Sequence, residues 1–288
     1  MSTFNDLYPF KSNYLDIEGQ RYHYLDEGPE DAPVLLMLHG NPTWSFYYRD
    51  LVKVFRETYR VVVPDHIGCG YSSKPQTYSY RLKTHIDNVE RLLDHLSIGA
   101  YTLVCHDWGG PIGFGTSIRR PNALQKMVIF NTTCTVTDDY PKRILMCLWP
   151  LVGPVGIRGL NFFATEAVRH ACCNRDRMTP EVKAGYLKPY DSYANRVANL
   201  RFVQDIPLSP SHPSYEEAMK VEKGFPELAK KPTMISWGMK DFCFTPAFLQ
   251  EFRKAAPDAE VHEFADAGHY VVEDASDRII PLMKSFLA

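Results

Sequence analysis

The 288-residue sequence has no surplus of positive charge: 32 Lys and Arg stand against 34 Asp and Glu, a formal net charge of −2. Without a basic excess to neutralise phosphates, nucleic-acid binding is excluded as a main role. Cysteine pairing is also missing. The seven cysteines are odd in number and scattered, with no C-x-x-C spacing, which argues against a disulfide framework and a zinc cluster. Reduced thiols in a cytoplasmic setting fit that usage. Ten histidines, including His39, His66 and His106, show no ligand spacing, so no metal is expected. There is no long hydrophobic run either. The most apolar stretch, from Ile144 to Ile157, is broken by Pro150 and Pro154 and falls short of the roughly 20 residues that span a bilayer. The opening MSTFNDLYPFKSNY has no basic region followed by an apolar one, which predicts no secretory signal and a soluble protein. Internal repeats and low-complexity segments are absent as well.

What is present is an ordinary globular composition: 45% hydrophobic, 13% aromatic and 23% charged residues. That is too apolar for a disordered chain and sufficient for a substantial core. The length allows one large domain, or one domain carrying an inserted lid. Residues 14–18 and 21–25 alternate around Gly19-Gln20 and read as a hairpin. Short continuous apolar runs follow at 34–38, 60–65, 101–105, 126–130 and 233–237, as strands buried on both faces of a parallel sheet require. Between them, 82–96 places Leu82, Ile86, Val89, Leu92, Leu93 and Leu96 on one helical face, and 247–255 and 276–287 repeat the pattern. Strands alternating with helices predict an α/β fold with helices on both sides of a mostly parallel sheet. The alternation fails across 135–212. We read this stretch as a helical cap over the carboxyl ends of the strands, and 1–134 together with 213–288 as the core.

Four pieces carry chemistry. In VCHDWGGPIGFG (104–115) a buried strand ends at Cys105, a polar centre follows, and glycines open a helix. This is the strand–turn–helix setting of a nucleophile elbow with Asp107 in the nucleophile's place; an aspartate capping a helix would look the same locally. LHGNPTWSFYYR (38–49) offers a loop whose backbone N–H can approach the site, or a plain turn. WGMKDFCF (237–244) places Asp241 just after a strand, and DAGHYVVED (266–274) places His269 in a late loop. Each alone is unremarkable, but together they follow the order nucleophile, acid, histidine. Gly68-Cys69-Gly70 also follows a strand, but no third glycine, Walker lysine or acidic partner accompanies it, so no nucleotide cofactor is expected.

HGNPTW, PDHIGCGYSSKP, HDWGG, WGMKDFCF and DAGHY together resemble the motifs of the α/β-hydrolase fold, and within it those of the haloalkane dehalogenases, over nearly the whole chain. The resemblance implies Asp107 as nucleophile, His269 as base and Asp241 as acid. It implies Asn41 and Trp108 as the pair that holds the departing halide, with their backbone N–H groups as the oxyanion hole. Some members place the acid after the preceding core strand; here that strand runs into Phe130-Asn131-Thr132, without a carboxylate. An Asn–Trp pair combined with the later acid, and the segment PYDSYANRVANLRFVQDIP, is similar to the subgroup close to the β-lactone decarboxylases of bacterial olefin biosynthesis. The expected activity is hydrolysis of haloalkanes to alcohol and halide through an ester of Asp107. The alternative is decarboxylation of a cis-β-lactone by the same residues. Epoxide hydrolysis, with Tyr140, Tyr186, Tyr190 or Tyr193 as proton donor, and a non-catalytic binding role are weaker readings. The partners implied are a small hydrophobic substrate, a halide ion and water, with no cofactor, and a homo-oligomer is left open.

Overall fold

The computed structural model describes residues 3–137 and 141–288, without the side chain of Arg143. A short helix α1 (Phe4–Leu7) precedes the hairpin β1 (Asn13–Ile17) and β2 (Gln20–Glu27). The turn sits one residue earlier than the alternation suggests, at Glu18-Gly19, because both residues take positive φ (54° and 79°), as a tight two-residue hairpin loop requires. Then follow β3 (Val34–Leu38), α2 (Arg49–Phe55), β4 (Arg60–Pro64), α3 (Leu82–His95), β5 (Tyr101–Cys105), α4 (Gly109–Arg119) and β6 (Leu124–Phe130). The chain then runs through α5 (Lys142–Met146), a π-helical turn Gly153–Gly159, α6 (Phe162–His170), α7 (Pro180–Leu187) and α8 (Val197–Gln204). It closes with α9 (Tyr215–Leu228), β7 (Thr233–Gly238), α10 (Pro246–Ala255), β8 (Glu260–Phe264) and α11 (Val271–Leu287).

The eight strands form one sheet in the order β1-β2-β4-β3-β5-β6-β7-β8. β2 runs antiparallel to both of its neighbours, and every other pairing is parallel. Successive side chains in a strand point to opposite faces, so each central strand feeds two cores. Leu36, Leu38, Leu103, Cys105 and Ile129 meet α3, α4, α9 and α10 on one side. Leu35, Met37, Val104, Val128 and Phe130 meet α2 and α11 on the other. Burial on both faces is why these strands read as unbroken apolar runs. β8 (EVHEF) does not: it is the outer strand, only Phe264 is buried, and its charges keep the sheet edge solvated. α11 starts at Val271, earlier than the 276–287 pattern, and is kinked at Ala275.

Among the described residues of 135–212 there is no strand, only the helical pieces from α5 to α8. No helix of the described residues is long and apolar enough to cross a membrane.

Candidate active site

Asp107 stands in the turn between β5 and α4 with φ +53°, the left-handed region that an aspartate seldom adopts. The strain is held from three directions. The Asp107 backbone N–H donates to Asn131 O (2.9 Å), the Thr132 hydroxyl donates to Asp107 O (2.5 Å), and Gly110 N–H donates to Asp107 O (3.0 Å). Glycines let the neighbouring backbone close in. A Cβ on Gly40 would lie 2.1 Å from Asp107 Oδ1, and one on Gly109 would lie 1.9 Å from Leu38 O. Hence the Asn41 N–H reaches Asp107 Oδ1 at 2.7 Å, and the Trp108 N–H also faces the carboxylate. Burial raises the Asp107 carboxyl above its usual value, against the pull of His269 and these two N–H groups. A capping aspartate would bond the open amides of its own helix; this one takes an amide from the loop after β3.

His269 follows β8, and its Nδ1 lies 2.9 Å from Asp241 Oδ2. Its Nε2 lies 3.8 Å from Asp107 Oδ2. Burial works against a charge on the imidazole, but Asp241 and then Asp107 outweigh it and hold His269 above the ordinary value. Asp241 follows β7 and accepts the Cys243 N–H on Oδ1 (2.6 Å). The other late carboxylates are engaged elsewhere. Asp266 pairs with Arg278 near the surface, and Asp274 receives N–H groups from Cys173, Asn174 and Gly268. Where an earlier acid would stand, Asn131 instead ties β6 to β7, with Nδ2 on Gly238 O (3.0 Å) and Oδ1 receiving Gly238 N–H (2.8 Å).

Asn41 and Trp108 both line the cavity above Asp107. The Asn41 amide donates one hydrogen to Asn199 O of α8 (3.1 Å), which leaves its second available. The Trp108 indole N–H has no partner among the described residues, and its ring rests against Phe202 at 5.5 Å. The cavity is about 370 Å³. Asp107, Asn41, Trp108 and His269 form its polar end, while Ile144, Cys147, Phe162, Phe163, Val203 and Phe244 are among its apolar walls. Every core residue at its polar end follows the carboxyl end of a strand, where open α/β sheets bind ligands.

His106 and His39 stand in the HDWGG and HGNPTW motifs without a role assigned to them from the sequence. Burial keeps His106 far below the ordinary imidazole value and so neutral; its Nε2–H holds His269 O at 2.8 Å. His39 braces the Asn41 loop through Gly40 O (2.7 Å) and the His66 N–H (3.1 Å). The tyrosines considered as epoxide proton donors lie elsewhere. Tyr186 donates to Glu273 (2.8 Å), Tyr190 to Thr43 O (3.4 Å), and Tyr193 is exposed beneath Arg158. None of these three lines the cavity; Tyr140 lies outside the described residues.

A family profile described as alpha/beta hydrolase fold matches residues 33–147 and 155–276. A cis-3-alkyl-4-alkyloxetan-2-one decarboxylase of Shewanella oneidensis is 45% identical, covering 98% of this chain and 89% of that protein. Haloalkane dehalogenase 2 of Mycobacterium bovis is 32% identical, covering 95% and 93%. Among solved structures, a loop variant of the haloalkane dehalogenase DbeA from Bradyrhizobium elkanii superposes with a TM-score of 0.86 at 23% identity, over 96% of each chain.

Proposed function

The chain belongs to the alpha/beta hydrolase fold family and is an enzyme of haloalkane dehalogenase-like kind, and we propose that Asp107 displaces halide from a saturated carbon and is then regenerated by water. The observation that carries this reading is a buried carboxylate at a strained elbow, beside a His–Asp pair, at the polar end of an apolar cavity. An ionised carboxylate needs no base to attack. Its oxygen bonds to the carbon, the carbon–halogen bond breaks, and the halide leaves with the electron pair. A bare anion in an apolar cavity is costly, and the Trp108 indole N–H and the free Asn41 amide hydrogen are the donors for it. The product is an alkyl ester of Asp107. His269, oriented by Asp241, takes a proton from water as that water attacks the ester carbonyl. The Asn41 and Trp108 backbone N–H groups support the oxyanion. Collapse releases the alcohol and returns the carboxylate. We take 135–212 as the cap that adds Ile144, Phe162, Phe163 and Val203 to the cavity's apolar walls. That the seven cysteines form no disulfide among the described residues supports a cytoplasmic setting.

A second reading rests on the 45% identity to the oxetanone decarboxylase. Asp107 would attack ring carbon C4, breaking its bond to the ring oxygen and opening a carboxylate. The bond from C3 to that carboxylate would then supply the alkene pair, releasing carbon dioxide and expelling Asp107 unchanged. No water is consumed.

The test is to supply the purified protein with 1,2-dibromoethane and, separately, a cis-3,4-dialkyl β-lactone. Bromide with 2-bromoethanol supports dehalogenation, and carbon dioxide with alkene supports the lactone reading. Carbon dioxide without any bromide would replace the first reading by the second, and neither product would overturn both.

A further inference from the structure

The stretch from Lys142 to Leu160 is apolar on two sides and covered on one. Inward, Cys147 and Ile157 cluster with Leu200, Val203 and Ile206. Outward, Trp149 is 59% exposed, Leu151 79%, Val155 56% and Leu160 73%. Of the ten large apolar side chains exposed among the described residues, seven fall between Met146 and Phe162. Helical segments that are apolar all round belong inside a protein or in lipid, and soluble proteins rarely leave such a concentration bare.

The charge pattern selects the occupant. From Lys142 to Thr165 the sequence holds three basic residues, Lys142, Arg143 and Arg158, and no acidic one, although the chain as a whole is slightly acidic. Aromatic and aliphatic side chains flanked by basic residues are the composition of segments that lie in the interface of an anionic bilayer. A second copy would meet this face with the same positive excess in a two-fold contact. The patch is also continuous with the cavity: Phe162 is 54% exposed and lines it, as does Ile144.

We propose that the outer face of Lys142–Phe162 docks on an anionic lipid bilayer, turning the cavity toward the acyl phase so that apolar substrate reaches Asp107 from lipid. The proposal does not depend on which leaving group the site expels. It is tested by sedimenting the full chain with phosphatidylcholine vesicles, and with vesicles containing phosphatidylglycerol as well, at physiological salt. The parent should pellet with the anionic vesicles, with a blue shift in fluorescence that Trp149→Phe removes. Leu151→Ser combined with Leu160→Ser should lower the partition coefficient at least tenfold, with an unchanged melting curve showing that these exposed positions leave the fold intact. No pelleting with anionic vesicles, or equal pelleting with neutral ones, would overturn the proposal. So would a parent that runs as an oligomer and a double variant that runs as a monomer, since the face would then be covered by a second copy.

Discussion

His269 Nε2 and Asp107 Oδ2 are 3.8 Å apart, beyond hydrogen-bond reach, although both side chains are buried in the same site. In a serine enzyme the base must bond its nucleophile to remove a proton. In the proposed route the Asp107 carboxylate has none to give, and His269 is left for the second step alone. His269→Gln should therefore react once and stall. With 1,2-dibromoethane it should release about one equivalent of bromide in a burst, and peptide mapping should locate a bromoethyl group on Asp107. Asp107→Asn should show neither. Steady turnover by His269→Gln, or an adduct on Cys134, Cys147 or Cys243 of the cavity wall, would refute the ester route.

In the proposed route His269 also sets the acid limb of turnover, because a base works only when neutral. Asp241 and Asp107, outweighing burial, hold His269 above the ordinary 6.5, so its neutral form is lost at a higher pH than in free imidazole. Steady-state dehalogenation should fall on acidification as the imidazole takes up a proton, with Asp241 the charge that still favours its protonated form once Asp107 is a neutral ester. The single-turnover burst of His269→Gln should be flat across that interval. A steady-state rate that does not fall on acidification would contradict the assignment.

Asp241→Asn should lower turnover by about two to four orders of magnitude, since it removes both the charge and the acceptor that fix the His269 tautomer. Circular dichroism should not change. A variant at full rate would move the acid elsewhere, although Asp266 and Asp274 are already engaged by Arg278 and by backbone N–H groups.

The two leaving-group donors should be separable from the fold. Asn41→Ala removes the whole amide, its bond to Asn199 included, and Trp108→Phe removes the indole N–H; each should cost on the order of 1–3 kcal/mol of transition-state stabilisation. Bromide release should drop by about fivefold to somewhat over a hundredfold. Rates within about threefold of the parent would mean that Asn41 serves only its turn and its bond to Asn199.

Stability has a different weak point. Arg49 and Glu273 form a buried two-pronged pair at 2.7 and 2.8 Å, and Tyr186 of α7 donates to the same carboxylate. Glu273→Ala should leave a buried guanidinium uncompensated and cost about 3–5 kcal/mol, readable as a lowered urea midpoint. A shift below 1 kcal/mol would show that water reaches Arg49.

What could be read from the chain follows from what each residue faces. β3, β5 and β7 are legible because both faces are buried, whereas β8 presents Glu260 and Glu263 at an edge. In α9 the spacing of Val221, Phe225 and Leu228 is masked by Gly224 and Pro226. Asp107, Asp241 and His269 are legible because each sits in a local pattern at a strand end. Phe163 and Val203, which wall the cavity, are ordinary apolar residues of α6 and α8. Likewise, His106 works only through the backbone of a residue far along the chain.

The segment above the site is fastened rather than hinged. Asn199 O holds the Asn41 amide, Asp274 gathers Cys173, Asn174 and Gly268 into one knot beside His269, and Tyr186 closes the Arg49–Glu273 pair. Lifting it as a rigid flap would break all three ties and detune both the leaving-group donor and the base. Phe162 and His170, which line the cavity from the exposed side of α6, can rotate without breaking any of these ties. In the proposed reaction those two side chains would set the bore through which substrate enters, and with it the chain lengths admitted.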